Sequence, residues 1–494
     1  MVQSLWDDVL ARTLEAVAGE ADAGRAVARR AAAGPGADAF DWASLYAGGG
    51  PGTGPSLDRA VPFVGPVGVV ELPGRGLGLA TLRDVPAGAV LLVERAWALA
   101  AADDAHSLAD RCLARLKDPG VSAVEQAAFL GLQGMGGGAA VAPGERARCF
   151  REYLALARGG GGLRAVAGSP SARGCSEASV RSVEAAVASN ARKSEKWDPW
   201  TLLLDETSAS GGLWLLASLF NHSCCGNVVV TYCRSKSPSG QAGGAMSGKR
   251  GDDGLADVLV ARAAVPLRAG DELCHTYVYP FETVSERRAR LARTYHFECS
   301  CSRCTLEAPL AATAVELADA LDRGVGAYGT ARRSGRPADM TATLAELRAA
   351  LARVAKEAPK AAAGGAEARG TLWTAQFAWG YHGLAMAAEC AGRWDEAAEA
   401  FSECARLIGA VAPSSGYELK YRMMLAQCLA RQALSGPPGR GGSALRAALK
   451  EAEEAHHRCY GGGGRHFVVR MGCRLEEVSA ALKRTAVGAT QSKK

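Results

Sequence analysis

The sequence contains few aromatic residues and no apolar run long enough to cross a bilayer. Phe, Trp and Tyr together make up 6% of the 494 residues. A transmembrane helix needs about 18 or more consecutive apolar residues, and no stretch approaches that length. The first thirty residues or so carry too many acidic residues for a transit peptide and too many charges for a signal peptide. We therefore expect a protein of the cytoplasm, the nucleus or both, without membrane association.

Dense basic blocks are absent as well. Lys and Arg exceed Asp and Glu by 57 − 51 = 6, and this small excess is spread along the chain. A nucleic-acid-binding protein usually carries a basic patch or stripe, so we expect no direct contact with nucleic acid. The length is sufficient for about two to four domains.

The cysteines do not follow a disulfide framework. They number fifteen, an odd count, which favours a reducing compartment with metal-bound or free thiols. Three of them, Cys299, Cys301 and Cys304, form a C-x-C-x-x-C pattern that supplies three of the four ligands of a tetrahedral zinc site. Cys224 is the best candidate for the fourth, with the adjacent Cys225 as a competing ligand. The alternative is that the three clustered cysteines are free surface thiols.

Apolar patterning predicts an α+β chain. Short Val- and Leu-rich runs between Pro and Gly residues indicate strands, and longer segments with helical periodicity precede and follow them. The expected organisation is a helical preface and Gly/Pro-rich linker at 1–60, a β-rich domain at 61–290 with a helical insertion at about 105–220 and a disordered loop at about 234–254, a cysteine loop at 291–306, and an all-helical domain at 307–494.

One segment of the C-terminal domain resembles the second helix of a tetratricopeptide repeat. It reads GRWDEAAEAFSECARLI from Gly392 to Ile408, with small residues at Ala397 and Ala398 and an aromatic at Phe401. Only one repeat fits well, so we expect a degenerate, TPR-like array.

Four motifs in order resemble the SET-domain protein methyltransferases, and within them the SET-and-MYND group. They are Gly74-Arg75-Gly76-Leu77-Gly78, Asn221-His222-Ser223-Cys224, the segment from Glu272 to Tyr277, and the cysteine loop, which matches the family's zinc-binding post-SET loop. The resemblance covers about 61–304 and extends weakly to the end, because that group also carries C-terminal helices. It implies a SET domain that uses S-adenosylmethionine and zinc.

The resemblance also implies which residues contact the cofactor. These are Gly74, Arg75, Gly76, Asn190, Asn221, His222, Tyr277, Tyr295 and Phe297. Phe297 matches the aromatic residue that stacks on the adenine, and Gly74 and Gly76 match a turn that approaches the cofactor closely. A helix-capping role for Asn190 is the alternative. The implied metal ligands are Cys224, Cys299, Cys301 and Cys304.

Tyr277 matches the catalytic tyrosine of the family. Methyl transfer to a lysine amine requires nitrogen, carbon and sulfur in line, and the Tyr277 hydroxyl would orient the methyl and amine groups. Tyr279 and Phe281 would line the lysine channel or belong to the core.

Two departures from the family pattern stand out. The proline that often follows Asn-His-Ser-Cys is missing, because Cys225-Gly226-Asn227 stands there. The MYND finger is missing too, since the insertion contains only Cys112, Cys149 and Cys175.

The sequence thus predicts a monomeric protein-lysine methyltransferase acting on a protein substrate, histone or other, with a possible protein partner on the C-terminal helices. An inactive scaffold that only binds partners is one alternative. A methyltransferase of the Rubisco-type SET group is another, and the cysteine loop argues against it.

Overall fold

The structure is a computed structural model that describes most of the chain. The described residues are 62–101, 105–132, 143–158, 180–198, 203–233, 258–361, 367–437, 441–461 and 463–491. The predicted helical preface and linker at 1–60 and the predicted loop at 234–254 lie outside these ranges.

The described residues form two compact units. The first, here called the β-rich unit, comprises residues from Ala32–Asn221 and Asn227–Cys274, and the second, the helical unit, comprises His222–Gly226 and residues from His275–Lys494. The short segment His222–Gly226 therefore belongs to the helical unit, although its sequence neighbours on both sides belong to the other. This segment contains the predicted metal ligand Cys224.

Short antiparallel strands form the sheets, and most of them lie in the β-rich unit. Their bounds are β1 Phe63–Val64, β2 Val67–Leu72, β3 Gly76–Thr81, β4 Val90–Arg95, β5 Ala98–Ala101, β6 Arg192–Asp198, β7 Leu203–Leu213, β8 Asn221–His222, β9 Val228–Cys233, β10 Val258–Ala263 and β11 Cys274–His275. The strand orders are β1-β4-β10-β9, β2-β3, β5-β7-β6 and β11-β8. The central strands β4 and β10 are almost continuously buried, which agrees with their mainly apolar sequences.

Four helices lie between β5 and β6 in the described ranges. They are α1 Ala105–Leu116, α2 Ala123–Leu130, α3 Pro143–Arg158 and α4 Val180–Asn190. A capping box of Ser122 and Glu125 begins α2. The core of this unit surrounds fully buried side chains such as Leu91 and Trp214, and Trp97 stacks on Phe129 with ring centroids 4.4 Å apart.

The predicted helical insertion is wrong in its last part. The helix ends at Asn190, and β6 and β7 follow within the stretch that was expected to be helical to about residue 220. The physical reason is long-range pairing. β7 lies between β6 and β5, with Leu213 opposite Ala98, and such a partner is invisible to local periodicity.

The helical unit contains ten α-helices among its described residues. They are α5 Val284–Tyr295, α6 Ser302–Glu307, α7 Ala311–Ser334, α8 Pro337–Ala361, α9 Glu367–Thr374, α10 Ala378–Cys390, α11 Trp394–Val411, α12 Gly416–Ser435, α13 Gly442–Tyr460 and α14 Gly463–Gln491. Successive helices pack on one another, as α10 does on α11 and α11 on α12. Ala397 and Phe401 of α11 are fully buried. The TPR-like character of this array stays a prediction.

The predicted α+β class is confirmed, with small sheets in the N-terminal half and mostly helices in the C-terminal half. None of the helices within the described ranges has the length and apolar character that a membrane span requires. The predicted domain boundaries stay predictions.

Candidate metal centre and aromatic site

Four cysteines of the helical unit converge on one point. The thiols of Cys224, Cys299, Cys301 and Cys304 all lie within 4.8 Å of one another. Cys224 Sγ is 3.4 Å from Cys304 Sγ and 3.9 Å from Cys299 Sγ, and all four are free thiols. Cys225 is not part of this group.

The spacing suits a tetrahedral zinc ion. With Zn–S bonds of about 2.3 Å, the sulfurs of a tetrahedral site stand about 3.8 Å apart, close to the separations of Cys224 from its two neighbours. Four thiolates without an open position are typical of a structural rather than a catalytic zinc site. The residues therefore fit the ion.

Local structure brings the ligands together. Cys301 is the N-cap of α6, and its sulfur accepts a hydrogen bond from the backbone N–H of Cys304. Helix α5 begins at a capping box of Thr283 and Glu286 and ends at Tyr295, and its C-cap His296 has a left-handed φ of 60°. This reversal directs the chain from α5 into the cysteine loop.

The clustered thiols change one another's acidity. Hydrogen bonds from Cys224, Cys299 and Cys304 hold the pKa of Cys301 well below its ordinary value. Hydrogen bonds with the other three thiols raise the pKa of Cys224. Metal binding requires thiolates, so it must displace the protons that the cluster still holds.

An aromatic group adjoins the cysteines in the same unit. Tyr277 lies 5.3 Å from His222 and 4.9 Å from Tyr295, measured between ring centroids. The ring of Phe297 lies 5.9 Å from that of His222 and is 36% exposed. Four predicted cofactor-binding residues are therefore neighbours, and Phe297 presents an open ring surface on which a planar group could stack.

Tyr279 and Phe281 have different environments. Phe281 is buried in the core of the helical unit, whereas Tyr279 is 43% exposed. Both rings form edge-to-face contacts with Tyr417 of α12. Phe281 therefore belongs to the core, whereas the Tyr279 ring is open to a ligand.

The predicted glycine turn lies in the β-rich unit, between β2 and β3. Gly74 and Gly76 have φ angles of 70° and 74°, a left-handed conformation that favours glycine. Arg75 Nη2 lies 3.3 Å from Glu272 Oε1 and 3.7 Å from Cys274 Sγ. The left-handed backbone conformation thus explains why glycine stands at both positions.

Asn221 shares a partner with this turn. Its Nδ2 donates to Glu272 Oε1 over 3.0 Å and to the carbonyl of Leu77 over 3.2 Å. Asn190 is the last residue of α4, and its side chain donates to the carbonyl of Ala186. The helix-end alternative for Asn190 therefore has a structural basis.

The segment from Glu272 to Tyr277 is less regular than a full catalytic strand. Only Cys274–His275 forms a strand, β11. Glu272 itself was not singled out as a site residue, although it binds both Arg75 and Asn221. Its place as the first residue of the predicted motif segment was the available signal.

Comparison with known proteins gives short matches. No protein-family model matches the chain. A segment of 88 residues is 34% identical to N-lysine methyltransferase SMYD2 of Rattus norvegicus, covering 18% of this chain and 15% of that protein. The human SMYD2 protein is 33% identical over 88 residues, with the same coverage.

The chain is similar to lysine methyltransferases. Histone-lysine N-methyltransferase set5 of Schizosaccharomyces pombe is 29% identical over 106 residues, which is 22% of this chain and 26% of that protein. The matches thus cover about a quarter or less of each relative. They support a SET-domain methyltransferase relationship, and SMYD-specific features have no such support.

Proposed function

We propose that this protein transfers a methyl group from S-adenosylmethionine to the side-chain amine of a lysine in a protein substrate. The observation that carries the proposal is the group formed by His222, Tyr277, Tyr295 and Phe297 beside the four cysteines. The partial similarity to named lysine methyltransferases supports the same chemistry.

The cofactor contacts of the proposal follow from the resemblance. They are the four residues of the aromatic group together with Gly74, Arg75, Gly76, Asn190 and Asn221. Bound S-adenosylmethionine would supply an electrophilic methyl group on a positively charged sulfur. The open ring of Phe297 suits stacking on a planar purine.

The protein's part in the reaction is positioning. The substrate amine attacks the methyl carbon with its lone pair as the bond from carbon to sulfur breaks. This requires that nitrogen, carbon and sulfur lie in line. An ordinary lysine has a pKa of about 10.4, so the amine must lose a proton before it attacks. Apolar surroundings favour its neutral form. The Tyr277 hydroxyl would orient the reacting groups.

Zinc would have a structural role in this proposal. It would join Cys224 to the loop that carries Phe297 and so hold the aromatic group together. The C-terminal helices would contribute to substrate or partner binding, and the cytoplasm or nucleus would be the site of action.

The test combines binding and turnover. Purified protein should bind S-adenosylmethionine in calorimetry and transfer a labelled methyl group to lysine in a protein extract. Tyr277→Phe should lower turnover by about 100-fold or more, because it removes an orienting hydroxyl. Tyr328→Phe is the matched control, since its hydroxyl lies beside Cys390 in the helical array, and it should retain turnover.

Two outcomes would contradict the proposal. Full activity in Tyr277→Phe would refute the assigned role of that residue. No cofactor binding would favour the scaffold alternative, which the missing proline after Cys225 supports.

A further inference from the structure

Three charged side chains are buried next to the four cysteines. Arg287 of α5, and Arg303 and Glu307 of α6, have no solvent exposure. Charged residues are rarely buried unless they are paired or bind a charged group. Two arginines and one glutamate leave one positive charge in excess, which points to an anionic group beside them.

Arg287 contacts the thiols directly. Its Nε donates to Cys224 Sγ over 3.3 Å, and its Nη2 lies 3.7 Å from Cys304 Sγ. Nη2 also pairs with Glu307 Oε2, and Nη1 donates to the carbonyl of Glu282. One guanidinium thus contacts a ligand from each of the two segments that form the cluster.

Arg303 pairs with the buried carboxylate of Glu307. Its Nε donates to Glu307 Oε1 over 2.7 Å, and its Nη1 donates to the carbonyls of Pro280, at 2.6 Å, and Cys224, at 3.4 Å. These acceptors are carboxylate and carbonyl oxygens rather than sulfurs. Glu307 therefore pairs with both arginines, and of their two positive charges one is left to balance the thiols that Arg287 contacts.

A zinc ion bound by four thiolates carries a net charge of −2, which is costly to bury without compensation. A guanidinium that donates N–H bonds to the sulfurs supplies both a positive charge and charge-assisted hydrogen bonds. Groups that hydrogen-bond to metal ligands affect metal affinity by roughly 10- to 100-fold.

We propose that Arg287 is a positioning residue of the metal centre, which stabilises the zinc-bound thiolates of Cys224 and Cys304 and lowers their reactivity toward electrophiles. Glu307 and Arg303 orient its guanidinium. The inference rests on the zinc part of the proposed function and is independent of methyl transfer.

The test measures metal affinity and sulfur chemistry in the full chain. Arg287→Met keeps much of the side-chain bulk and removes the charge and the donors. We expect zinc affinity, measured against a competing chelator, to fall by about 10- to 100-fold. We also expect faster alkylation of the zinc-bound thiolates. In the cobalt-substituted protein, the sulfur-to-metal charge-transfer band should move to lower energy, because sulfurs that accept fewer hydrogen bonds donate electron density more readily.

Three variants separate this role from a packing role. Arg293→Met removes an exposed arginine of the same helix and should leave all three readouts unchanged. Arg287→Lys keeps the charge and should restore part of the zinc affinity. Glu307→Gln removes the buried acid but keeps the Arg287 donors, so the cobalt band should stay near its wild-type position.

If Arg287→Met fails to fold, the double variant Arg287→Met/Glu307→Gln takes its place in the test. This variant removes the buried acid as well, and Arg303 keeps its two carbonyl partners. Its zinc affinity and cobalt band should match the loss expected for Arg287→Met. Wild-type affinity and band position in both variants would overturn the inference. Failure of the wild-type chain to bind zinc would instead overturn the metal proposal itself.

Discussion

The backbone N–H of Tyr277 donates a hydrogen bond to Nδ1 of His222 over 3.0 Å. A neutral imidazole that accepts at Nδ1 carries its proton at Nε2, and Nε2 of His222 lies 3.3 Å from Cys224 Sγ. His222 can therefore accept from the predicted catalytic residue and donate to a predicted metal ligand. This buried ring connects the chemistry of the two sites.

We predict that His222→Leu weakens both sites. The change leaves the Tyr277 N–H without this acceptor, at a cost of about 1–3 kcal/mol of stability if it stays buried. Zinc should be removed by chelator roughly 10-fold faster, and methyl transfer should fall by a larger factor. Metal release kinetics and turnover check this. His296→Asn, at an exposed left-handed position that asparagine tolerates, is the control and should retain both properties.

A second prediction concerns the fourth metal ligand. Cys224→Ser should reduce bound zinc from about one ion per chain to a small fraction, because a serine hydroxyl is a poor replacement for a thiolate. Cys225→Ser should retain the metal, since its sulfur lies outside the cluster. Metal analysis after dialysis against a mild chelator measures both. Equal zinc loss in the two variants would contradict the geometry.

The pH dependence of zinc binding follows from the same thiols. The metal displaces protons from the cluster, so zinc affinity should fall as the pH is lowered and protons compete. Titration of zinc at pH 8 and pH 6, with proton release followed by a pH indicator, checks the sign. An affinity that does not change with pH would indicate that other ligands bind the metal.

Gly78 provides a test of the turn in the β-rich unit. A Cβ at this position would lie 2.7 Å from Leu72 Cδ1 and 2.9 Å from Asn221 Nδ2. Gly78→Ala should therefore displace the Asn221 amide from Glu272 and weaken S-adenosylmethionine binding by about 10-fold, which is about 1.4 kcal/mol. Calorimetry measures this effect. Gly326→Ala is the matched control, because a Cβ there meets no atom within 4 Å and alanine favours a helix by up to about 1 kcal/mol.

Glu94 should make the stability of the β-rich unit depend on pH. Its carboxylate accepts hydrogen bonds from the backbone N–H groups of Leu216 and Ala217 over 2.9 and 3.0 Å. Burial nevertheless raises the pKa of Glu94 from its ordinary value of 4.5 to about 7, and these two bonds only partly offset that effect. The folded state consequently holds more protons than the unfolded state between pH 4.5 and pH 7.

The free energy of unfolding should therefore fall as the pH rises through this interval, by about 3 kcal/mol at about 1.4 kcal/mol per pKa unit. Urea unfolding at pH 5 and pH 7 measures the change. Glu94→Gln should remove this part of the dependence. Glu71→Gln, an exposed glutamate of β2, should preserve it. If the free energy of unfolding of Glu94→Gln fell with pH as steeply as that of the wild type, Glu94 would not be the group responsible.

Strands with mainly apolar sequences were the most predictable part of the fold. β2, β9 and β10 lie within the predicted β-rich domain at 61–290, because a short Val- and Leu-rich segment between turn residues has few alternatives. β6 and β7 were not predictable, since β7 pairs with β5 across about a hundred residues and β6 in turn pairs with β7. Arg287 and Glu307 were missed for a similar reason. They are charged residues in a helical pattern, and their burial depends on partners that are distant in sequence.

The sequence by itself determined the α+β class, the glycine turn and three cysteines in one short loop. The left-handed backbone at Gly74 and Gly76 and the C-x-C-x-x-C spacing are local properties, and local properties are encoded by neighbouring residues. Only the tertiary structure decided that Cys224, and not Cys225, joins the other thiols. Adjacent residues point in different directions, so a spacing in sequence cannot select between them, whereas the position of the His222–Gly226 segment in the fold does.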